Sequence, residues 1–369
     1  MARSSAHSGE VQASERMIGK EGGPVASGLR AVELFSGAGG LTLGLKWAGF
    51  DCAAAVEWDR DACDTFDRLI PGVDVKNDDI NRINAGNAWE ALTGRVDLLA
   101  GGAPCQPFSS GGKRLADNDN RNMLPAYFGA AIALRPTMFL LENVPGLQRG
   151  SRASYLETWL DHMREQGYSV TSAVLHAPDY GVPQKRQRLF IVGSRLGSFR
   201  FPMATHGPGR RHPHVPAGAV LDPNTIQGDP NTSIVTYAKN PDLRPSPYDG
   251  HLFNGGGRPI DLTKPCPTIL AAAGGNKTHW LDPFGEVPRY HAELLAGHPP
   301  RTGLLPGGRR LTVTESALVQ TFPEGTKFCG SRSKQYTQVG NAVPPLLARA
   351  VGEALSDHLI ASLHEPAIS

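Results

Sequence analysis

One cysteine in this chain stands apart from the others. Cys105 lies in GGAPCQPFSSGG (101–112), between Pro104 and Pro107, just beyond the apolar run VDLLAGG (96–102). The prolines restrict the backbone and would fix the direction of the thiol. Ser109, Ser110 and the glycines leave space for a substrate. A nucleophilic cysteine needs exposure, a lowered pKa and a partner that handles protons. A loop thiol without a role is the competing reading. Glu142 closes the apolar run MFLLENV (138–144), either as a site acid or as a surface cap, and Asn143 beside it could hold a loop by hydrogen bonds. In QKRQR (184–188), Arg186 and Arg188 stand two apart at the start of an expected strand. That period points both to one face. Two guanidiniums there suit an anion or a carbonyl oxygen, although one of them could pair with a structural carboxylate.

A second set of residues suits a nucleoside. ELFSGAGGLTLG (33–44) supplies G-x-G at Gly37 and Gly39, but Thr42 stands where a dinucleotide loop has its third glycine. The pyrophosphate fingerprint is therefore incomplete. Gly37, Gly39 and Gly40 still allow a ligand to approach the backbone closely. Glu57 ends the next expected strand, where an acid can accept from ribose hydroxyls. A nucleoside ligand without a diphosphate satisfies both facts, and S-adenosylmethionine is one. A glycine-rich turn that holds no ligand remains the alternative.

Positioning these groups requires strand ends. AVELF (31–35), CAAAVEWD (52–59), VDLLAGG and MFLLENV read as strands, with helical stretches around 121–134 and 154–166 between them. Ser154 and Glu157 suggest a capping box for the latter. SVTSAVLHA and RQRLFIVGS read as later strands. This alternation predicts an α/β fold with a doubly wound, mostly parallel sheet. Ligands of such sheets bind at the carboxyl ends of the strands, where Ser36–Gly40, Glu57, Cys105 and Glu142 fall.

Beyond Arg195 the texture changes to Pro, Gly, His and Asn, with few helical patterns through 308. That block reads as a smaller, strand- and loop-rich domain. Helical pattern returns at 312–322, where Thr312 and Glu315 suggest a capping box, and again after Pro344. The expected division is a leader over 1–29, a large domain of 30–195 with 336–369, and a small domain with hinge over 196–335.

The composition excludes several classes. The chain has 369 residues, 40% hydrophobic and 20% charged, which suits a soluble globular protein. A net charge of +2 does not announce nucleic-acid binding, although a local basic face is compatible with it. The five cysteines are scattered without a CxxC pair, so neither a disulfide framework, a zinc ribbon nor any other metal site is expected, and a reducing cytosol is. No run approaches the roughly 18 apolar residues of a membrane span. The leader lacks the apolar core of a signal peptide and is expected to be disordered.

Taken together, the motifs resemble the cytosine-5 DNA methyltransferases, particularly the bacterial restriction–modification type. LFSGAGGLTLGLKWAGF is similar to the family's cofactor motif, PCQPFS to its nucleophile motif, ENVPGL to its acid motif and PQKRQRLFIVGSR to its Q-x-R-x-R motif. RRLTVTESALVQTFP and YTQVGNAVPPLLARAV match the two closing motifs, in the family's order across most of 30–355. The resemblance implies an S-adenosylmethionine-dependent methyltransferase fold with a target-recognition domain. It implies that Cys105 attacks C6 of a flipped cytosine, Glu142 acts at N3, and Arg186 and Arg188 orient and polarise the base. It places Phe35, Ser36, Gly37, Gly39, Gly40, Glu57, Trp58, Asp79, Ile80, Pro104, Asn341 and Val343 around the cofactor. Thr314 departs from the family, which often has Arg there, and leaves packing at the small-domain junction open.

The small domain supplies side chains suited to base edges or phosphates: Arg210, Arg211, Arg258 and Lys264, and in GGNKTH the residues Asn276, Lys277, Thr278 and His279. Lys113 and Arg114 beyond the cysteine are further phosphate candidates. The implied partner is double-stranded DNA. A restriction endonuclease is implied as a system partner outside any stable complex, and the protein is expected to be a cytoplasmic monomer. Transfer RNA is the alternative substrate, because one branch of the family modifies it. A binding protein without catalysis and a nicotinamide oxidoreductase are disfavoured, the former because every expected catalytic residue type is present, the latter by Thr42 and the Pro-Cys-Gln loop.

Overall fold

The computed structural model describes residues 28–104, 122–271 and 275–364. The leader expected over 1–29, Cys105, Lys113 and Arg114 therefore lie wholly or mainly outside the described residues.

The chain opens with β1 (Arg30–Leu34), α1 (Gly40–Trp47), β2 (Asp51–Glu57), α2 (Arg60–Leu69), β3 (Asp74–Asn77), α3 (Ile80–Ala85) and β4 (Leu98–Gly101). It continues through α4 (Leu124–Leu134), β5 (Met138–Asn143), α5 (Ser151–Glu165), β6 (Ser169–His176), β7 (Gln184–Lys185) and β8 (Gln187–Ser194). Seven of these strands form one sheet in the order β3-β2-β1-β4-β5-β8-β6. Strands β1 to β5 run parallel, while β8 is antiparallel to both β5 and β6. The mostly parallel, doubly wound expectation holds. The reversed strand is an addition with consequences at the site.

The central strands are largely apolar, β4 throughout, because both faces of the sheet are covered. Successive residues alternate between two cores, as the strand period requires. Leu99, Phe139, Leu141 and Ile191 face Tyr127 and Phe128 of α4 and Leu156 and Leu160 of α5. Leu98, Met138, Leu140 and Val192 face Leu41 and Leu45 of α1. Leu347, Val351 and Leu355 of the C-terminal helix complete that second core.

The remaining elements are β9 (Thr236–Asp242), β10 (His251–Asn254), β11 (Cys266–Pro267), β12 (Trp280–Leu281), α6 (Glu286–Leu295), β13 (Arg309–Arg310), α7 (Val313–Val319), α8 (Arg332–Asn341) and α9 (Pro345–His364). Short two-stranded ladders join β9 to β10 and β12 to β13. Around them, Tyr237, Leu252, Trp280, Val287 and Tyr290 form a separate core. Strand β11 pairs in parallel with β7, Cys266 opposite Gln184, and so ties this region to the edge of the site.

Three local expectations meet different outcomes. Thr312 and Glu315 form the expected capping box of α7. The box expected at Ser154 does not form, because Gly150, with a positive φ of 58°, is the N-cap and starts α5 four residues earlier than a cap at Ser154 would. The block through 308 is also not as poor in helix as its composition suggests. In α6 an amphipathic face of Val287, Tyr290 and Leu294 is buried despite Pro288 in the first turn, a position where the missing amide costs nothing.

Helix α1 meets α9 at very short range. A Cβ added at Gly44 would lie 2.4 Å from Ala348 Cβ and 2.5 Å from the Pro345 carbonyl oxygen. Overpacking of this kind typically costs about 1–3 kcal/mol. Gly44→Ala should therefore lower the urea-unfolding free energy by about that amount, and an unchanged midpoint would show that the helices separate freely.

Candidate active site

The glycine loop turns the chain from β1 into α1. Phe35, Gly37 and Gly39 all have positive φ, at 56°, 53° and 86°. A Cβ at Gly39 would meet Phe66 at 2.9 Å, and one at Gly40 would meet the Val343 carbonyl oxygen at 2.5 Å. These two glycines permit close packing. At Gly37 an added Cβ would meet nothing within 4 Å among the described residues, so this glycine faces open space.

Glu57 closes β2 and holds the loop from below. Its carboxylate accepts from the Gly37 amide and the Asp59 amide, both at 2.9 Å. Burial raises the Glu57 carboxyl above its ordinary range, and the amide hydrogen bonds oppose that rise. Beside it, Ser36 Oγ is buried with no hydrogen-bond partner among the described residues. Trp58 is 80% exposed, and the backbone carbonyl it presents is held by Asn77 Nδ2 at 2.9 Å. An unsatisfied hydroxyl, a carboxylate, an open glycine and an uncovered indole together suit a nucleoside with a polar tail. Asp79 caps α3 by accepting from Asn81 N at 2.8 Å and is itself exposed, whereas the Ile80 side chain belongs to the core. Val343 is buried beside α1, and Asn341 is exposed at the end of α8. Pro104 is exposed three residues beyond the end of β4.

Thr42, the departure from the dinucleotide pattern, has a partner of its own. Its hydroxyl donates to the carboxylate of Glu33, which is fully buried on β1. Burial raises the Glu33 carboxyl well above its ordinary range, with Thr42 opposing and Glu57 and Glu142 reinforcing.

The second half of the site lies where β5 ends and the reversed β8 begins. Asn143 pairs with Leu189 and Glu142 with Phe190. Arg188 is therefore the diagonal neighbour of Glu142 on the same face. Arg188 Nε lies 2.7 Å from Glu142 Oε1, with only 13% and 9% of the two side chains exposed. Gly102 makes room for the carboxylate, since a Cβ there would sit 2.9 Å from Glu142 Oε2. Asn143 holds a loop as expected, its Nδ2 donating to the Ala103 carbonyl at 2.8 Å. The Pro104 carbonyl accepts from Met123 N at 3.0 Å. The chain thus leaves for Cys105 immediately beside the Glu142–Arg188 pair.

Arg186 corrects the expectation that both arginines address one ligand. It is 1% exposed, and its guanidinium donates to the carbonyls of Ile269 at 3.1 Å, Gly340 at 2.8 Å and Ala342 at 2.9 Å. Arg186 falls in the break between β7 and β8, where its amide turns back to the Gln184 carbonyl at 2.9 Å, so strand period two does not relate the arginines. Arg186 meets protein main chain, and Arg188, inside β8, meets Glu142. Two of the candidate DNA contacts are corrected likewise. Thr278 is 1% exposed, with its carbonyl taken by Arg310. His279 is buried between the Arg258 amide and the Thr268 carbonyl, both at 3.0 Å. Asn276 and Lys277 are exposed, as are Arg210 and Arg211. Gln320, not singled out from the sequence, is fully buried and hydrogen-bonded at 2.8 Å to the equally buried Gln184 that opens the Q-x-R-x-R motif. Nothing in its spacing marks Gln320.

With this geometry in hand, comparisons with known proteins agree on one family. The family described as C-5 cytosine-specific DNA methylase matches residues 29–219 and 289–357, leaving 220–288 outside the match. Type II methyltransferase M.PspPI of Psychrobacter sp. is 34% identical over 337 residues, covering 88% of this chain and 78% of its own length. Type II methyltransferase M1.HphI of Haemophilus parahaemolyticus is 32% identical over 341 residues, covering 89% and 86%. Among solved structures, a Spodoptera frugiperda DNMT2 variant superposes with a TM-score of 0.66 at 18% identity, over 89% of this chain and 99% of that one. The Schizosaccharomyces pombe Dnmt2 (S. pombe) gives 0.62 at 17%, over 91% and 99%. At these identities the two structures attest the fold. No helix among the described residues is long and apolar enough to cross a membrane.

Burial outweighs Arg188 and Arg186 at Glu142 and raises its carboxyl above the ordinary range. A group with a raised folded pKa stabilises the fold fully below its unfolded pKa, and that contribution is lost as pH rises through the folded value. Glu142→Gln cannot titrate. Its unfolding free energy should fall less steeply than the parent's as pH rises across that window. Parallel urea titrations at several pH values measure this, and equal slopes would mean that Glu142 titrates as an ordinary carboxylate.

Proposed function

The chain belongs to the C-5 cytosine-specific DNA methylases, enzymes that methylate carbon 5 of cytosine in DNA, and on that premise we propose how its own residues carry the reaction. The observation that carries the proposal is the buried Glu142–Arg188 pair beside the strand end that leads into Pro104 and Cys105.

Carbon 5 of cytosine is too electron-poor to take a methyl group unaided. The Cys105 thiolate adds to C6 and turns C5 into an enamine-like nucleophile, which divides one hard step into easier ones. Negative charge develops toward N3 and O2. Glu142, biased toward its protonated form by burial, meets N3, and the Arg188 guanidinium meets O2, so the charge is stabilised where it appears. After methylation a base removes the C5 proton, and Cys105 leaves as thiolate. The cytosine must leave the helix to present its C6 face, at a cost of a few kcal/mol.

S-adenosylmethionine is the methyl donor in this proposal, and when bound it supplies an electrophilic methyl on a sulfonium. The residues present fit it. Glu57 takes the ribose hydroxyls, Trp58 covers the adenine, and the space at Gly37 with the free Ser36 hydroxyl receives the polar tail. Asp79 contributes the acidic edge beside the adenine.

Residues 30–195 with 336–369 form the catalytic and cofactor part of the proposal, and 196–335 the DNA-reading part and hinge. The segment 220–288, outside the family match, includes the exposed Asn276 and Lys277 and is assigned the sequence-specific contacts. Lys113 and Arg114 are assigned to phosphates. The protein acts as a cytoplasmic monomer with a separate restriction endonuclease as its system partner; the Type II relatives support the restriction–modification context alone.

Labelled methyl transfer from S-adenosylmethionine tests the reading. Duplex DNA should be labelled and transfer RNA should not; the reverse would overturn it. Cys105→Ala should lower turnover below detection while it leaves binding of the cofactor product intact. DNA with 5-fluorocytosine at the target should trap a denaturation-resistant adduct, because no C5 proton can leave. Failure to trap would count against Cys105.

A further inference from the structure

Gln184 and Arg186 meet the same two partners. Gln184 Oε1 accepts from the Ile269 amide at 3.0 Å, and Arg186 Nη1 donates to the carbonyl of the same residue at 3.1 Å. The two side chains thus grip both main-chain groups of Ile269. On the opposite side, Arg186 Nη2 donates to Gly340 and Ala342, at the end of α8. Gln184 reaches that end through Gln320, whose Nε2 donates to the Val339 carbonyl at 2.6 Å. Gln184, Arg186, Ile269 and Gln320 are all essentially inaccessible.

Each partner leads to a different part of the site. Ile269 lies on the segment that follows β11, and its neighbour Thr268 meets through its carbonyl the His279 Nε2 at 3.0 Å, two residues beyond the exposed Lys277. That segment abuts α8, since a Cβ at Gly340 would lie 2.3 Å from the Ala271 amide nitrogen. In the other direction, a Cβ at Gly40 would meet Val343 O at 2.5 Å and Ala342 Cβ at 3.2 Å. The end of α8 therefore rests directly on the glycine loop. Two residues beyond Arg186, Arg188 holds Glu142.

We propose that Gln184 and Arg186 are positioning residues that join the DNA-reading segment to the end of α8 and the glycine loop, so that DNA and the cofactor strengthen each other's binding. This rests on the assignment of those two surfaces given above. A displacement of Ile269 by DNA is passed to Val339–Ala342 through Arg186 and the Gln184–Gln320 pair, which bond both. A ligand that settles Val339–Ala342 against Gly40 likewise settles Ile269. Coupling of this kind is reciprocal by thermodynamic necessity. Scaffolding alone gives a weaker account of the arrangement, since well-packed apolar residues often stabilise a core as well as buried polar ones do.

The test is a binding cycle with S-adenosylhomocysteine and unmethylated plasmid DNA that the parent protein labels. Affinity for each is measured alone and in the presence of the other, for the parent, Arg186→Lys and Gln184→Met. The parent should show a coupling factor of about tenfold. Both variants should fall below about twofold, while each separate affinity changes less than the coupling does. Gln184→Met leaves the Arg186 fan in place and so serves even where Arg186→Lys does not fold. Retained coupling in a folded variant, a factor of one in the parent, or loss of folding in both variants would overturn the proposal. Failure of the parent to label DNA would instead overturn the functional assignment on which it rests.

Discussion

A buried guanidinium must spend its donors on the protein, because water cannot reach them and an unpaired buried charge costs several kcal/mol. Arg186 is in this position: burial and the nearby Arg188 both disfavour its charge, and Glu142 favours it. Main-chain carbonyls from two distant segments take up its two terminal nitrogens, Ile269 from one and Gly340 and Ala342 from the other, while Nε stays buried without a hydrogen-bond partner among the described residues. Much of the surrounding architecture follows from that demand. The end of α8 is fixed at Arg186, so the chain enters α9 at a set place. Helix α9 then lies close against α1, where only glycine fits at position 44. The loop before α1 is thereby held on two sides, by Glu57 from β2 and by Val343 from the entry to α9.

The same economy of charge shapes the reacting half. Glu142 and Arg188 are buried together, and each removes part of the penalty that the other would suffer alone. The pairing depends on β8 running backwards. In a parallel strand, residues near its start would sit at the far end of the sheet from Glu142. Reversed, they meet the carboxyl end of β5, where doubly wound sheets present their ligands. One antiparallel strand thus brings a cation to an edge otherwise furnished with Ser36, Glu57 and Glu142.

What the sequence made legible follows from how local each signal is. The strands β1, β2, β4, β5 and β8 are mainly apolar, with their polar residues mostly at the ends, and burial on both faces favours that pattern. Asn143 and Glu142 were readable because they close such a run. Helix α8 was not legible: RSKQYTQVGN is polar, and its buried face consists of Tyr336, Gln338, Val339 and Gly340, which acquire a partner only in the folded chain. Thr278 and His279 misled for a related reason. Hydrogen-bonding side chains in a glycine-rich run suit a ligand and a neighbouring backbone equally well. At 279 the choice went to the Arg258 amide and the Thr268 carbonyl, 21 and 11 residues away. The separate fates of Arg186 and Arg188 are likewise set by partners remote in sequence.

Thr42 shows how a departure from a motif can carry information. In dinucleotide loops the third glycine lets the helix pack closely on its strand. Here that position carries a hydroxyl bonded to Glu33, a buried carboxylate on β1. Close approach has moved to Gly40 and Gly44, and both face the C-terminal part of the chain, at Val343, Pro345 and Ala348. The glycines of GAGGLTLG therefore divide their work. Gly37 and Gly39 turn the backbone, with Gly37 beside open space, while Gly40 and Gly44 admit a distant segment. A loop built this way depends for its shape on residues some 300 positions later. That dependence is the physical reason a motif near the C-terminus belongs to the same site as one near the beginning.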